Sequence, residues 1–165
     1  MKQAVVIFLV TLAAYTLTAG GHLFTTDEEI VARTAGSLAT SQGMLITPLD
    51  SGFASVPATP PDPQGREYGQ YGVGQPLLAV PFYWAGLGLA KIGSDDLWRR
   101  IYGQPSFSPA ALGVEPVARE LAPRFMLSWF NILAGSLLAA VLYGICLQVT
   151  QDTRASMWAA LLYAL

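Results

Sequence analysis

An uncharged run from Ala4 to Phe24, followed at once by Asp27-Glu28-Glu29, most restricts what this chain can become. A helix over 4–24 is long enough to cross ~30 Å of hydrocarbon. Signal peptides carry shorter apolar regions of ~7–15 residues and end in a small-residue cleavage site. Thr18-Ala19-Gly20 has some of that form. The length of the run, and the apolar runs that follow it, favour a retained first transmembrane helix.

Those later runs are Val73–Ile92 and Phe125–Thr150, with a shorter one from Ala155 to Leu165. The chain is 53% hydrophobic and 12% charged, with a mean hydropathy of +0.43, which points to an all-α, polytopic membrane protein rather than an ordinary soluble domain. We therefore expect spans over 4–24, 73–92 and 125–150 and a truncated span from 155, with loops over 25–71 and 93–123. The last run is too short to cross a bilayer, so we expect the N-terminal part of a longer protein. A net charge of -2 gives no basic field for nucleic acid. Cys146, the only cysteine, lies in an apolar run and reads as a buried inert thiol. His22, the only histidine, excludes a histidine-cluster metal site.

Three consecutive acids directly after a span would sit just outside the bilayer. Thr26 and Glu29 have the spacing of a capping box, in which each side chain satisfies a backbone N–H at the helix start. Ile30, Val31, Ala35, Leu38 and Ala39 recur at helical spacing, and Gly43 is a C-terminal stop. The result is an amphipathic helix near the membrane surface with its acidic end exposed. Anionic carboxylates are favoured at a helix N-terminus. They make poor general acids there, but serve as metal ligands or, when partly desolvated, as bases. Capping boxes and acidic first turns are also common with no function beyond the cap.

Pro48 to Gly65 carries five prolines and excludes a continuous helix. Gly69-Gln-Tyr-Gly-Val-Gly74 is glycine-rich but precedes an apolar run rather than following a strand, so a dinucleotide loop is excluded and a sharp turn into the bilayer is expected. Within the second run, Gly86 and Gly88 with Ala85 and Ala90 form a small-residue face for close helix approach. In the third, Asn131, Gly135 and Ser136 are candidate interhelical contacts. Trp84, Trp98, Tyr102, Trp129 and Trp158 are interface anchors or core.

Orientation follows from basic residues near span ends. Lys2, Lys91, Arg99, Arg100, Arg119 and Arg124 lie on one side of the expected topology; Arg33, Arg66 and Arg154 lie on the other. That balance places the N-terminus and loop 93–123 in the cytoplasm and loop 25–71 outside it.

In order and context, these pieces resemble the membrane-embedded GT-C glycosyltransferases that use a lipid-phosphate sugar donor, such as protein O-mannosyltransferases and the aminoarabinose transferases of lipid A. The resemblance is carried by the first span leading to Thr26-Asp-Glu-Glu-Ile-Val-Ala-Arg33, then Ser37-Leu-Ala and Gly43-Met, the proline-containing loop, and Tyr71-Gly-Val-Gly74-Gln-Pro-Leu-Leu-Ala-Val-Pro81-Phe-Tyr. It covers roughly residues 1 to 90 and implies the N-terminal helices of a multi-span GT-C fold with an extracytoplasmic loop helix. It also implies inverting transfer of a sugar from a polyprenyl-phosphate donor to a glycan, lipid or protein acceptor. An acid of the first loop would be the base, carried over to Asp27 with Glu28 beside it, although Asp27, Glu28 and Glu29 stay open as alternatives. Some members involve a divalent metal, for which Asp27 and Glu28 are the ligands this stretch offers. Arg33, about two turns along the helix, is a candidate to support the phosphate leaving group, or else a structural ion-pair arginine. Tyr71 is a weaker substrate-binding candidate. The implied partners are the lipid-linked donor, the acceptor and membrane lipids; of a bacterial inner membrane and the endoplasmic reticulum, the short loops and the position of Asp27 close to the start favour the former.

A non-catalytic polytopic scaffold or subunit, using its Gly/Ala faces for helix association, is the alternative. A transporter fits less well, because ionisable groups are nearly absent from the expected spans.

Overall fold

A computed structural model describes residues 2–21, 23, 25–46, 55–57, 67–69, 71–102 and 118–164. The chain is predominantly α-helical, as expected. Its elements run α1 (Lys2–Thr18), α2 (Thr26–Ala39), β1 (Leu45–Ile46), β2 (Ser55–Pro57), β3 (Glu67–Gly69), α3 (Gly74–Leu89), α4 (Asp95–Tyr102), α5 (Ala118–Thr150) and α6 (Thr153–Ala164). The proline-rich stretch from Pro48 to Gly65 lies outside the described residues apart from Ser55–Pro57.

The expected spans are revised in length. α1 ends at Thr18 after 17 residues, α3 has 16 and α6 has 12. Among the described residues one helix is long and apolar enough to cross a membrane, over Arg119–Thr150. It begins before the expected Phe125, because Arg119 to Arg124 continues the helix rather than closing a loop.

The chain divides into two compact units, Met1–Ala19 with Trp129–Leu165, and Gly20–Ser128. In the first unit, Ile7 of α1, Ala139 and Tyr143 of α5 and Ala160 of α6 form a buried cluster edged by Ala4, Leu147 and Ala164. Small residues at 139 and 160 permit close helix approach. The Tyr143 hydroxyl donates to Gln3 Oε1 at 2.7 Å. Ser136 and Thr11 return their hydroxyls to their own helices, at Ile132 O (2.7 Å) and Ile7 O (2.9 Å), so neither strands a buried donor. Gly135 does lie at an interhelical contact, facing the ring of Tyr15. Asp152 accepts from the backbone N–H groups of Arg154 (2.7 Å) and Ala155 (3.3 Å), which starts α6. The Cys146 thiol is free and half-buried rather than buried.

In the second unit α2 packs chiefly on α3. A Cβ at Gly36 would stand 2.9 Å from the Tyr83 ring, which shows how closely these helices approach. A small antiparallel sheet, order β1-β3-β2, lies within the loop expected to be irregular, with Leu45 opposite Tyr68 and Val56 opposite Tyr68 on the other side. The Ser37 hydroxyl donates to Leu45 O and ties β1 to α2.

Residues 95–102, expected as loop, form α4. Asp95 and Asp96 occupy its first turn and Arg99 and Arg100 its last, so both ends complement the helix dipole. Its buried Trp98 and Tyr102 join Leu121 and Ala122 of α5, with Leu89, Ala90 and Phe125 packed around them. Trp98 and Phe125 meet at 5.9 Å between ring centres. Trp98 and Tyr102 are thus core, while Trp84 and Trp158 are exposed.

Residues at the edges of the expected loops 25–71 and 93–123 meet within the second unit. Glu29 and Arg124 form an ion pair at 2.6 Å, and Leu23 N donates to the Tyr102 hydroxyl at 3.3 Å.

Candidate functional site

The three consecutive acids of α2 do three different things. The helix is capped one residue earlier than the spacing suggested: Thr25 Oγ1 accepts from Glu28 N (3.2 Å) and Glu28 Oε2 accepts from Thr25 N (3.2 Å). The capping box is Thr25/Glu28, not Thr26/Glu29. Glu28 is committed to the helix start. Thr25→Ala should cost about 1 kcal/mol of stability through the lost cap, and Thr25→Ser should cost little. Thermal melts followed by circular dichroism would show the difference; equal melting of the two variants would exclude the cap.

Glu29 points into the second unit and is 7% exposed. Its Oε1 accepts from Arg124 Nη2 (2.6 Å) and Arg33 Nε (2.9 Å), and its Oε2 from Arg124 Nε (3.0 Å). The Arg124 fork grips both oxygens, the geometry in which guanidinium binds carboxylate best. Arg124 Nη1 also donates to Glu120 O at 3.0 Å, with the Glu120 carboxylate at 3.7 Å. A buried carboxylate survives only when paired and hydrogen-bonded. Burial pushes the Glu29 carboxyl up, but Arg124 and then Arg33 more than offset this and hold it below the usual carboxylate range. Burial also raises the nearby Tyr102 phenol to about 12, so it stays protonated.

Asp27 is the acid left at the surface. Its Oδ1 accepts from the Tyr71 hydroxyl at 2.5 Å, across 44 residues. Both side chains are exposed. The fold thus joins two of the sequence candidates, Asp27 and Tyr71, and sets Arg33 against Glu29.

No family model, curated protein or solved structure matches this chain.

Among the described residues, no three His, Cys, Asp or Glu side chains gather to hold a metal ion. Of the two acids this stretch offers a metal, Glu28 also accepts from Thr25 N at the helix start, through Oε2. Arg124 was absent from the candidates. Its neighbours Ala122 and Pro123 carry no local signal, and its partner is 95 residues away. An exposed carboxylate steadied by a phenol O–H can accept a proton from a hydroxyl brought within hydrogen-bond reach.

Proposed function

We propose that this chain contributes the base-bearing region of an integral membrane glycosyltransferase, which moves a sugar from a lipid-phosphate donor to an acceptor hydroxyl outside the cytoplasm. The observation that carries this reading is the division of labour among the acids: Glu28 caps, Glu29 is buried in an ion pair, and Asp27 alone of the three is held exposed, by Tyr71. In the reaction, Asp27 takes the acceptor proton while the acceptor oxygen forms a bond to the anomeric carbon. The phosphate departs with the electron pair of the broken bond. Stabilising that anion calls for cationic support. Arg33 and Arg124, both paired with Glu29, are the guanidinium groups on that side of α2.

The membrane arrangement we infer keeps the expected first span over 4–24, takes α5 as the next crossing helix, and so puts the long segment between them on one side. The balance of six basic residues against three then no longer applies, because segments this long weigh little in orientation. Lys2 at the start of α1 and Arg154 after α5 are the informative charges, and both favour a cytoplasmic N-terminus.

Asp27→Asn in membranes containing the full-length protein should lower sugar transfer by about 10²- to 10⁴-fold, the usual worth of a positioned base, without moving the melting temperature. Glu28→Gln keeps the cap and should retain most activity. Retained transfer in Asp27→Asn, measured with a radiolabelled polyprenyl-phosphate sugar, would remove Asp27 from the role.

A further inference from the structure

The chain around Tyr71 is anchored on both sides. Tyr71 stands two residues after β3, the central strand of the small sheet, and three before α3. On the strand side, Gly69 lies against the buried Thr34 of α2, where a Cβ would collide with Oγ1. Gly69 N also donates to Met44 O at 3.2 Å. The Thr34 hydroxyl is itself held, donating to Ile30 O at 2.8 Å. On the helix side, Leu77 N donates to Val73 O at 2.9 Å, and the Pro76 ring beside it is fully buried. α2 thus carries Asp27 and, two turns on, the seat of the strand that delivers Asp27 its partner.

We propose that Tyr71 is a positioning residue: it holds Asp27 in one rotamer and leaves Oδ2 as the atom that receives the acceptor proton. The inference rests on reading Asp27 as the base. An exposed aspartate has a broad χ2 and several χ1 wells, whereas a reacting group must be held to within about 0.5 Å of its productive place. The Tyr71 hydroxyl supplies that restraint, donating to Oδ1 at 2.5 Å in a short bond to a charged acceptor. Among the described residues, no donor reaches Oδ2. A tyrosine has only two rotatable side-chain angles to lose, so the restraint costs little entropy. Among the described residues, nothing lies within 4 Å of the Cβ positions of Gly72 and Gly74, so the turn that carries Tyr71 is uncrowded. In the transfer, the proton leaves the acceptor oxygen for Oδ2 as that oxygen bonds to the anomeric carbon. Tyr71 keeps its own proton throughout.

The test is Tyr71→Phe in membranes containing the full-length protein, with a radiolabelled polyprenyl-phosphate sugar as donor. It should lower kcat by about 10- to 100-fold, up to the scale of a ~1 Å misplacement. The KM for the donor and the melting temperature should stay at their wild-type values. A raised KM with kcat unchanged would make Tyr71 a substrate contact, and a loss that tracks a lowered melting temperature would make it structural. Either result, or unchanged kinetics, overturns the proposal. 3-Fluorotyrosine at position 71 reads the hydrogen bond without any turnover. Asp27→Asn should shift its fluorine resonance; an unmoved resonance would show that the pair does not form. The two readings fail separately. Full transfer by Asp27→Asn with a shifted resonance removes the base and its positioning together. An inactive Asp27→Asn beside a fully active Tyr71→Phe removes the positioning role alone.

Discussion

Replacing Arg124 with methionine should destabilise the second unit by about 3 kcal/mol, at the low end of the ~3–5 kcal/mol typical of orphaning one partner of a buried pair. Arg33 remains to hold Glu29 Oε1 at 2.9 Å, which is why the low end applies. The lost fork leaves Oε2 without a charged donor in a site where little water reaches. Thermal melts in detergent would read the loss. The double variant Glu29→Leu with Arg124→Met should recover most of it, because no uncompensated charge is then buried. The pH dependence has a definite sign. The Glu29 carboxyl is held below its ordinary pKa in the folded protein, so its stabilisation is complete above that ordinary value and is lost as pH falls through the lower, folded one. The gap between wild type and Arg124→Met should therefore shrink on acidification. A gap independent of pH would show that Arg124 acts through packing rather than through Glu29.

Even the single methyl of Gly86→Ala should cost about 1–3 kcal/mol, and Gly86→Val more. A Cβ at 86 would stand 2.6 Å from Pro123 N and 2.8 Å from Ala122 O, with Pro123 Cα closer still. All three atoms are backbone, so no side chain can swing aside and the two helices would have to part. Gly88→Ala is the control. Nothing lies within 4 Å of its Cβ position, and alanine is up to about 1 kcal/mol better than glycine in a helix interior. Opposite shifts in melting temperature for the two variants are the expected result; a neutral Gly86→Ala would refute the close contact.

The contrast between these glycines shows what could be read in advance. Spacing alone marked both as a small-residue face, but only the packing of α5 decides which one is used. The same holds in α2. Its extent was legible from the apolar residues between Ile30 and Ala39, yet Thr25-Thr26 followed by Asp27-Glu28-Glu29 offers two overlapping capping frames. The frame is chosen by Arg124, which draws Glu29 inward and leaves Glu28 to the cap. α4 escaped notice because eight residues are fewer than the window in which helical periodicity can be counted. Its i, i+4 pairs, Leu97 with Ile101 and Trp98 with Tyr102, were the available signal. The opposite-side topology rests on charge counting that takes every long apolar run as a crossing.

The 95-residue separation of Glu29 and Arg124 also has a meaning in time. A chain made from its N-terminus at ~5–20 residues per second exposes Glu29 for roughly 5–20 s before Arg124 has been synthesised. During that interval Arg33, one turn away, is the partner within reach, and the i, i+4 pair can steady the nascent helix. The second guanidinium then arrives on the helix that completes the unit, and the carboxylate is withdrawn from water only once its counterion exists.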